Sequence, residues 1–386
     1  MRHKLIKALP LVFIFLSSLL AMTALIHPGF YTSHDGWHIV ARLQHFSQAL
    51  NDGQFPPRWS GELLYGFGYP LFLFSYHLPW WIGSAFLLFG LSIFDSLKVL
   101  FILSFIISGV VMYLFVKDLW GRLPAIGASF LYLFTPYRFA TILVRANMGE
   151  TVSFATMPLI FWAIYLLYRK KRTAGLLLGV IGITGSLLSH IMVVTLYLVP
   201  LTAFFAILLI SLPKKDKRPF IRDNLIIGFL GLGLSAYYLL PAFYYKPLTV
   251  FGELYRHLYK NHFTEILDLL YSPWGYAAIG QPGEMSRQVG LIIWVTFIAS
   301  FSVILYKAYR HRLKIQDKIG TVLILCIGTA VFLMVKESQP VWSILEKWTT
   351  IDFPWRFLSV TTFCGSLLGG YLIFSTPKWK SVLVFL

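Results

Sequence analysis

A succession of continuous apolar runs constrains this chain more than any motif in it. They cover residues 9–26, 70–92, 96–116, 123–136, 151–168, 174–212, 225–245, 289–306, 319–335 and 357–375. A last run opens at Ser381 and reaches only six residues before the sequence stops, as expected of a chain cut short at its C-terminus. About 20 apolar residues cross a hydrocarbon core as a helix, so the run 174–212 holds two helices, turning at Ser189 and His190. The runs are continuous rather than alternating, which disfavours a membrane β-barrel and favours helices that satisfy their own backbone. The reading is an all-α polytopic helical membrane protein, one domain over residues 1–386 with about 10–11 transmembrane helices. Composition agrees: 57% of the 386 residues are hydrophobic and 13% charged.

The basic start, residues 1–7, followed by the run 9–26 has the outline of a signal peptide, but the run is long for one and more spans follow. It reads as an uncleaved first helix. Cys326 and Cys364 both sit inside apolar runs, so neither a disulfide frame nor a metal cluster is indicated.

The net charge of +17 decides topology rather than ligand. If 70–92 crosses the membrane, 20 Lys and Arg fall outside and 13 inside. If it enters and leaves on the outer face, 21 lie inside and 12 outside, which satisfies the positive-inside bias. His77, Pro79 and Gly83 interrupt this segment, and Trp80 and Trp81 suit an interface. With 12 of 16 acidic residues also outside, the outer face sums to 12 − 12 = 0 and all the basicity is cytoplasmic. That is an orientation signal and no nucleic-acid patch; holding anionic headgroups is a secondary use. The expected outer loops are 27–95, 137–150, 246–288 and 336–356, with surface helices in the first. Within the third, 248–270 reads as an amphipathic helix lying on the membrane.

Four constellations could carry chemistry. On a helix starting near Ser33, Asp35, His38, Arg42 and His45 share one face. Asp35 either caps that helix, for which Ser-His-Asp-Gly is good chemistry, or serves a site; a metal held by His34, Asp35 and His38 is a further option. Next, Arg145, Asn147 and Glu150 follow Tyr137 and Arg138 closely. They are snorkelling side chains, or a guanidinium for a phosphate and a second carboxylate facing Asp35. His190 is the only Asp, Glu, His, Lys or Arg between Thr173 and Leu212, and faces either a cavity or a packing partner. Asp352-Phe-Pro-Trp-Arg356 ends the last loop at a helix start, as an aromatic anchor or as an arginine for a headgroup phosphate.

Together these pieces resemble the GT-C superfamily of polyprenyl-phosphate-sugar glycosyltransferases: a first helix, a large outer loop with an acidic residue (Asp35), surface helices, and a second acid (Glu150) after the third span. Three stretches look like a bacterial membrane family labelled "6-pyruvoyl-tetrahydropterin synthase-related". They are His34-Asp35 with Phe55-Pro-Pro-Arg-Trp59, Arg145 to Gly149-Glu150, and Phe353-Pro-Trp-Arg356. The likeness covers essentially the whole chain, though nothing in it matches a zinc-holding pterin enzyme.

The resemblance implies a transferase on the outer face of the cytoplasmic membrane, with the N-terminus cytoplasmic, that moves a sugar from a polyprenyl-phosphate donor to an envelope acceptor. In it Asp35 and Glu150 are the catalytic acids, and His34, His38, Arg58, Arg145, Asn147, His190 and Arg356 contact substrate. Some branches carry a strict acidic pair that this sequence lacks, so no tightly bound metal is expected, while a divalent cation stays open. The competing classes are a transporter or flippase for lipid-linked intermediates and a non-catalytic envelope scaffold. Ion-coupled carriers place ionisable groups near mid-membrane, whereas the acids here gather outside, which favours the enzyme.

Overall fold

A computed structural model describes residues 2–255, 257–349 and 351–376. The apolar runs form helices α1 (Arg2–Ala21), α2 (Gly36–Asn51), α3 (Leu78–Leu88), α4 (Ile93–Trp120), α5 (Arg122–Phe134), α6 (Met148–Tyr168), α7 (Arg172–Ser189), α8 (Leu198–Ser211), α9 (Lys214–Tyr245), α10 (Leu291–Tyr309), α11 (Ile315–Met334) and α12 (Leu358–Ser375). Among the described residues no β-strand forms, only the isolated bridges Ser60–Tyr69 and Ala277–Glu284. The protein is an all-α, polytopic membrane protein.

Among the described residues seven helices are long and apolar enough to cross a bilayer, and the expected first, third and sixth spans are shorter, at Ala8–Ala21, Arg122–Phe134 and Leu198–Ser211. The last expected span, opening at Ser381, lies outside the described residues. The expected hairpin in 174–212 is present, broken where His190 leaves helical geometry at φ −166°.

The segment 70–92 forms no helix of spanning length. Its main helix, α3, has 11 residues and rises only about 16 Å, half a hydrocarbon core. It lies against α2, α4, α6 and α7. The fully buried His77 pins its start, with a ring nitrogen 2.6 Å from the Phe72 carbonyl and its backbone N–H donating to Leu188.

The loops sort by side. On one face the Tyr31 hydroxyl donates to the Ile142 carbonyl (2.6 Å), a His34 ring nitrogen lies 2.8 Å from the Tyr276 carbonyl, and the Thr264 N–H donates to Met334 (2.8 Å). At the opposite helix ends Lys170 pairs with Asp216 and Arg172 with Asp223, both at 2.9 Å, and Lys307 with Asp317 at 2.6 Å. The four expected outer loops thus share one face, here the loop face, and the basic clusters share the other, the basic face.

One expectation fails. Residues 248–270 are not a single surface helix but short turns at Lys246–Leu248, Phe251–Leu254, Leu258–Asn261 and Ile266–Leu270. His257 takes a left-handed conformation (φ 67°), and Tyr259 and Leu269 turn inward to be buried. Amphipathic spacing yields here to packing on α11 and the Trp342 ring, 5.2 Å from that of Tyr259.

Burial is uneven among the spans. The apolar windows of the α12 and α6 spans are 94% and 83% buried, against 28% for α9 and 22% for α10. Glu150 lies in the first turn of α6 and Arg356 in the 3-10 turn Pro354–Phe357 that leads into α12, so those charges sit where the bundle is most tightly held.

Candidate functional site

The centre of the loop face is a buried network of four ions. Asn147 starts α6: its side-chain oxygen accepts the Glu150 N–H at 3.0 Å, the first-turn cap expected of an Asn there. Just before it, a π-helical turn at Ala140–Val144 and a left-handed Ala146 (φ 52°) aim Arg145 back at that turn. Arg145 Nη1 donates to Glu150 Oε2 (2.8 Å) and to the Tyr137 hydroxyl (3.1 Å), which donates to Glu150 Oε1 at 2.6 Å.

Arg356 grips Asp352 with both arms, Nε to Oδ1 at 2.8 Å and Nη2 to Oδ2 at 3.0 Å. Its Nη1 lies 3.6 Å from Glu150 Oε2, buried and without a hydrogen bond. The Trp355 ring lies 4.6 Å from the Arg145 guanidinium and 5.7 Å from that of Arg356. Two cations and two anions balance, as buried charges must. Burial opposes ionisation of Asp352, but Arg356 outweighs it and holds the carboxyl below the usual carboxylate range.

Asp35 stands beside this network without entering it. The His34 N–H donates to the Val144 carbonyl and the Asp35 N–H to that of Arg145, both at 2.9 Å, so the loop is clasped by its backbone to the Arg145 segment. Asp35 occupies the cap position of α2, yet its side chain makes no cap bond. Half-buried, its carboxylate has no hydrogen bond or ion pair among the described residues. Along the same face His38 is exposed, and Arg42 and His45 are half-buried, bordering the buried stripe of Ile39, Leu43 and Phe46.

Tyr76 joins the two halves. Its hydroxyl accepts the Gly149 N–H at 3.2 Å, and its ring stacks on Trp80 (5.3 Å) and His190 (5.7 Å). Burial raises its pKa, while Arg42, Asp35 and Arg356 all act on it electrostatically. A glycine is needed at 149, since a Cβ there would sit 2.5 Å from the Ser189 carbonyl and 2.7 Å from the Tyr76 ring. Burial, and then Arg356, push the His190 pKa down to about 4, so the imidazole is neutral near pH 7.

Not every expected residue converges here. Arg58 donates to the Tyr237 carbonyl at 2.8 Å and lies near His77, tying the 53–70 loop to α9 instead of joining the network. His34 is turned to Tyr276, and the Asn147 oxygen is spent on its cap. Glu150 is 1% exposed and the void beside it admits no water, so it does not face Asp35 as an open second carboxylate. Among the described residues no three His, Cys, Asp or Glu side chains are placed to hold a metal, so His34, Asp35 and His38 do not form a ligand set. Sequence reasoning left out Tyr76, Tyr137 and Asp352. Tyr137 and Asp352 lie within motifs it named, whereas Tyr76, inside an apolar run, carries no local signal.

No family model matches the chain. An uncharacterized protein of Lactococcus lactis subsp. cremoris (strain MG1363) is 26% identical over 242 residues, 60% of this chain and 38% of that protein. The chain thus spans well under half the length of that relative.

Proposed function

We propose that this protein is a GT-C-type glycosyltransferase, taking a sugar from a polyprenyl-phosphate donor and passing it to an envelope acceptor. The loop face is the outer face of the cytoplasmic membrane, and the N-terminus is cytoplasmic. The observation that carries the reading is the unpartnered, half-buried Asp35 carboxylate, clasped by its backbone to the segment that bears Arg145. A carboxylate free of ion pairs can take a proton; one gripped by two arginines cannot.

The roles divide accordingly. Asp35 removes the proton of the acceptor hydroxyl as that oxygen attacks the anomeric carbon. The bond from that carbon to the phosphate oxygen breaks, and its electron pair leaves with the lipid phosphate. Arg356 and Arg145, buried beneath the site, stabilise the growing charge on that phosphate through their electrostatic field. Glu150 acts through the arginines and is a positioning residue. His190 and Tyr76 offer neutral hydrogen-bonding groups for sugar hydroxyls. A transporter fits less well, since the acidic side chains of the spans, such as Asp118, Glu150, Asp223 and Asp317, lie towards helix ends rather than at mid-membrane.

Asp35→Asn tests the reading. Loss of a general base costs about 10²–10⁴ in rate, so lipid-linked sugars should accumulate and the matching envelope glycan should disappear by mass spectrometry, at unchanged protein abundance. Transfer at the wild-type rate by purified Asp35→Asn protein would refute the assignment.

A further inference from the structure

The basic face holds a hollow of about 440 Å3 where the ends of α4, α6 and α8 meet the start of α11. Trp120, Tyr165, Tyr168, Arg169, Lys170 and Gln316 line its polar part. Leu119, Leu212 and Ile319 continue the wall with aliphatic surface. We propose that this hollow binds the headgroup of an anionic glycerophospholipid, independently of whatever chemistry the loop face performs.

Three observations converge. The first is an unspent cation. Lys170 is neutralised by Asp216 at 2.9 Å, whereas Arg169 donates to the Tyr165 hydroxyl, at 3.1 Å, and among the described residues has no carboxylate within ion-pair distance. One unpaired guanidinium matches one phosphodiester charge.

The second is a buried donor without a partner. Trp120 is 6% exposed, lines the hollow, and its indole N–H makes no hydrogen bond. Such a group costs free energy unless something accepts from it, and a phosphate or glycerol oxygen would. The third is position. The hollow lies at the ends of spanning helices, the level at which a bilayer presents phosphates, with cations and tyrosines at one side and aliphatic wall at the other. Basic hollows between spanning helices hold acidic headgroups in this way.

The charge pattern also sets the preference. A zwitterionic headgroup would bring its ammonium against Arg169, the guanidinium left without a carboxylate among the described residues, so an anionic lipid such as phosphatidylglycerol is favoured over phosphatidylcholine.

The test is native mass spectrometry of the full chain in detergent, with phosphatidylglycerol, phosphatidylcholine or glycerol phosphate added. Phosphatidylglycerol should stay bound and phosphatidylcholine should not. Arg169→Gln should lower phosphatidylglycerol occupancy about five- to tenfold, Arg169→Lys should keep most of it, and Trp120→Phe should weaken it. Arg169 is exposed, so its replacement leaves the fold intact, which an unchanged melting curve verifies. Equal retention of phosphatidylcholine, wild-type binding by Arg169→Gln, or equally strong binding of free glycerol phosphate would each overturn the proposal.

Discussion

Glu150→Gln removes one charge and almost no volume, and therefore isolates what the ionic network contributes. Glutamine's single oxygen can still accept from Arg145, and its amide N–H can donate to the Tyr137 hydroxyl, so the loss is mainly electrostatic. With an effective dielectric of about 20, a unit pair at the 2.8 Å separation of Arg145 is worth about 6 kcal/mol, and one at the 3.6 Å of Arg356 about 4.6 kcal/mol. Removal of the desolvation cost of the carboxylate offsets part of this. Breaking a buried pair while leaving the partner charged costs about 3–5 kcal/mol, and here two guanidiniums are left facing each other.

The sharper expectation concerns the double variant. Once Glu150 is neutral, Arg145 is a liability to Arg356, so Glu150→Gln with Arg145→Met should be about 1–3 kcal/mol more stable than the sum of the two single losses. Denaturant unfolding in mixed micelles, followed by circular dichroism, measures all four corners of the cycle. A Glu150→Gln variant within about 0.5 kcal/mol of wild type, the scatter of an ordinary surface substitution, or strict additivity of the two changes, would refute the argument that these charges hold the site together.

Gly149→Ala should destabilise by about 1–3 kcal/mol and lower activity, because the added methyl drives the Ser189 carbonyl and Tyr76 apart; a wild-type melting temperature would count against that close approach. His77 and His190 both have pKa values lowered to about 4, mainly by burial, so between pH 6.5 and 4 the unfolded chain binds more protons. Stability should therefore fall as pH drops through that window, and His190→Gln should flatten part of the slope; a pH-independent melting temperature there would contradict it. A cysteine at the exposed Ser92 should react with an impermeant thiol reagent from outside intact cells, with little background from the buried Cys326 and Cys364; reaction only after lysis would invert the orientation.

Apolar run length and basic clustering are one-dimensional properties, and they determined what depends on the bilayer alone: helices, their order, and which loops share a face. The expectation for segment 70–92 rests on the same property, since shifting it reverses the charge sum of everything after it. The helical spacing that puts Asp35, His38 and Arg42 on one stripe was equally local. The extended helix over 248–270 was not, because amphipathic spacing is silent about neighbours such as Trp342 that pull Tyr259 inward.

The site depended on such neighbours throughout. Four motifs named the charged groups but not their pairing. Glu150 could have been an open base, and becomes a buried anchor only because Arg145, Tyr137 and Arg356 reach it from different elements. Asp35 could have been a cap; only the backbone clasp to Arg145 leaves its carboxylate unspent. Tyr76, unmarked among apolar neighbours, acquires its place from Gly149 and the break at His190. Hydrophobic periodicity fixes where a helix lies relative to lipid. Which polar groups meet, and which one is left without a partner, follows from how the helix ends converge, and that is a property of the assembled bundle.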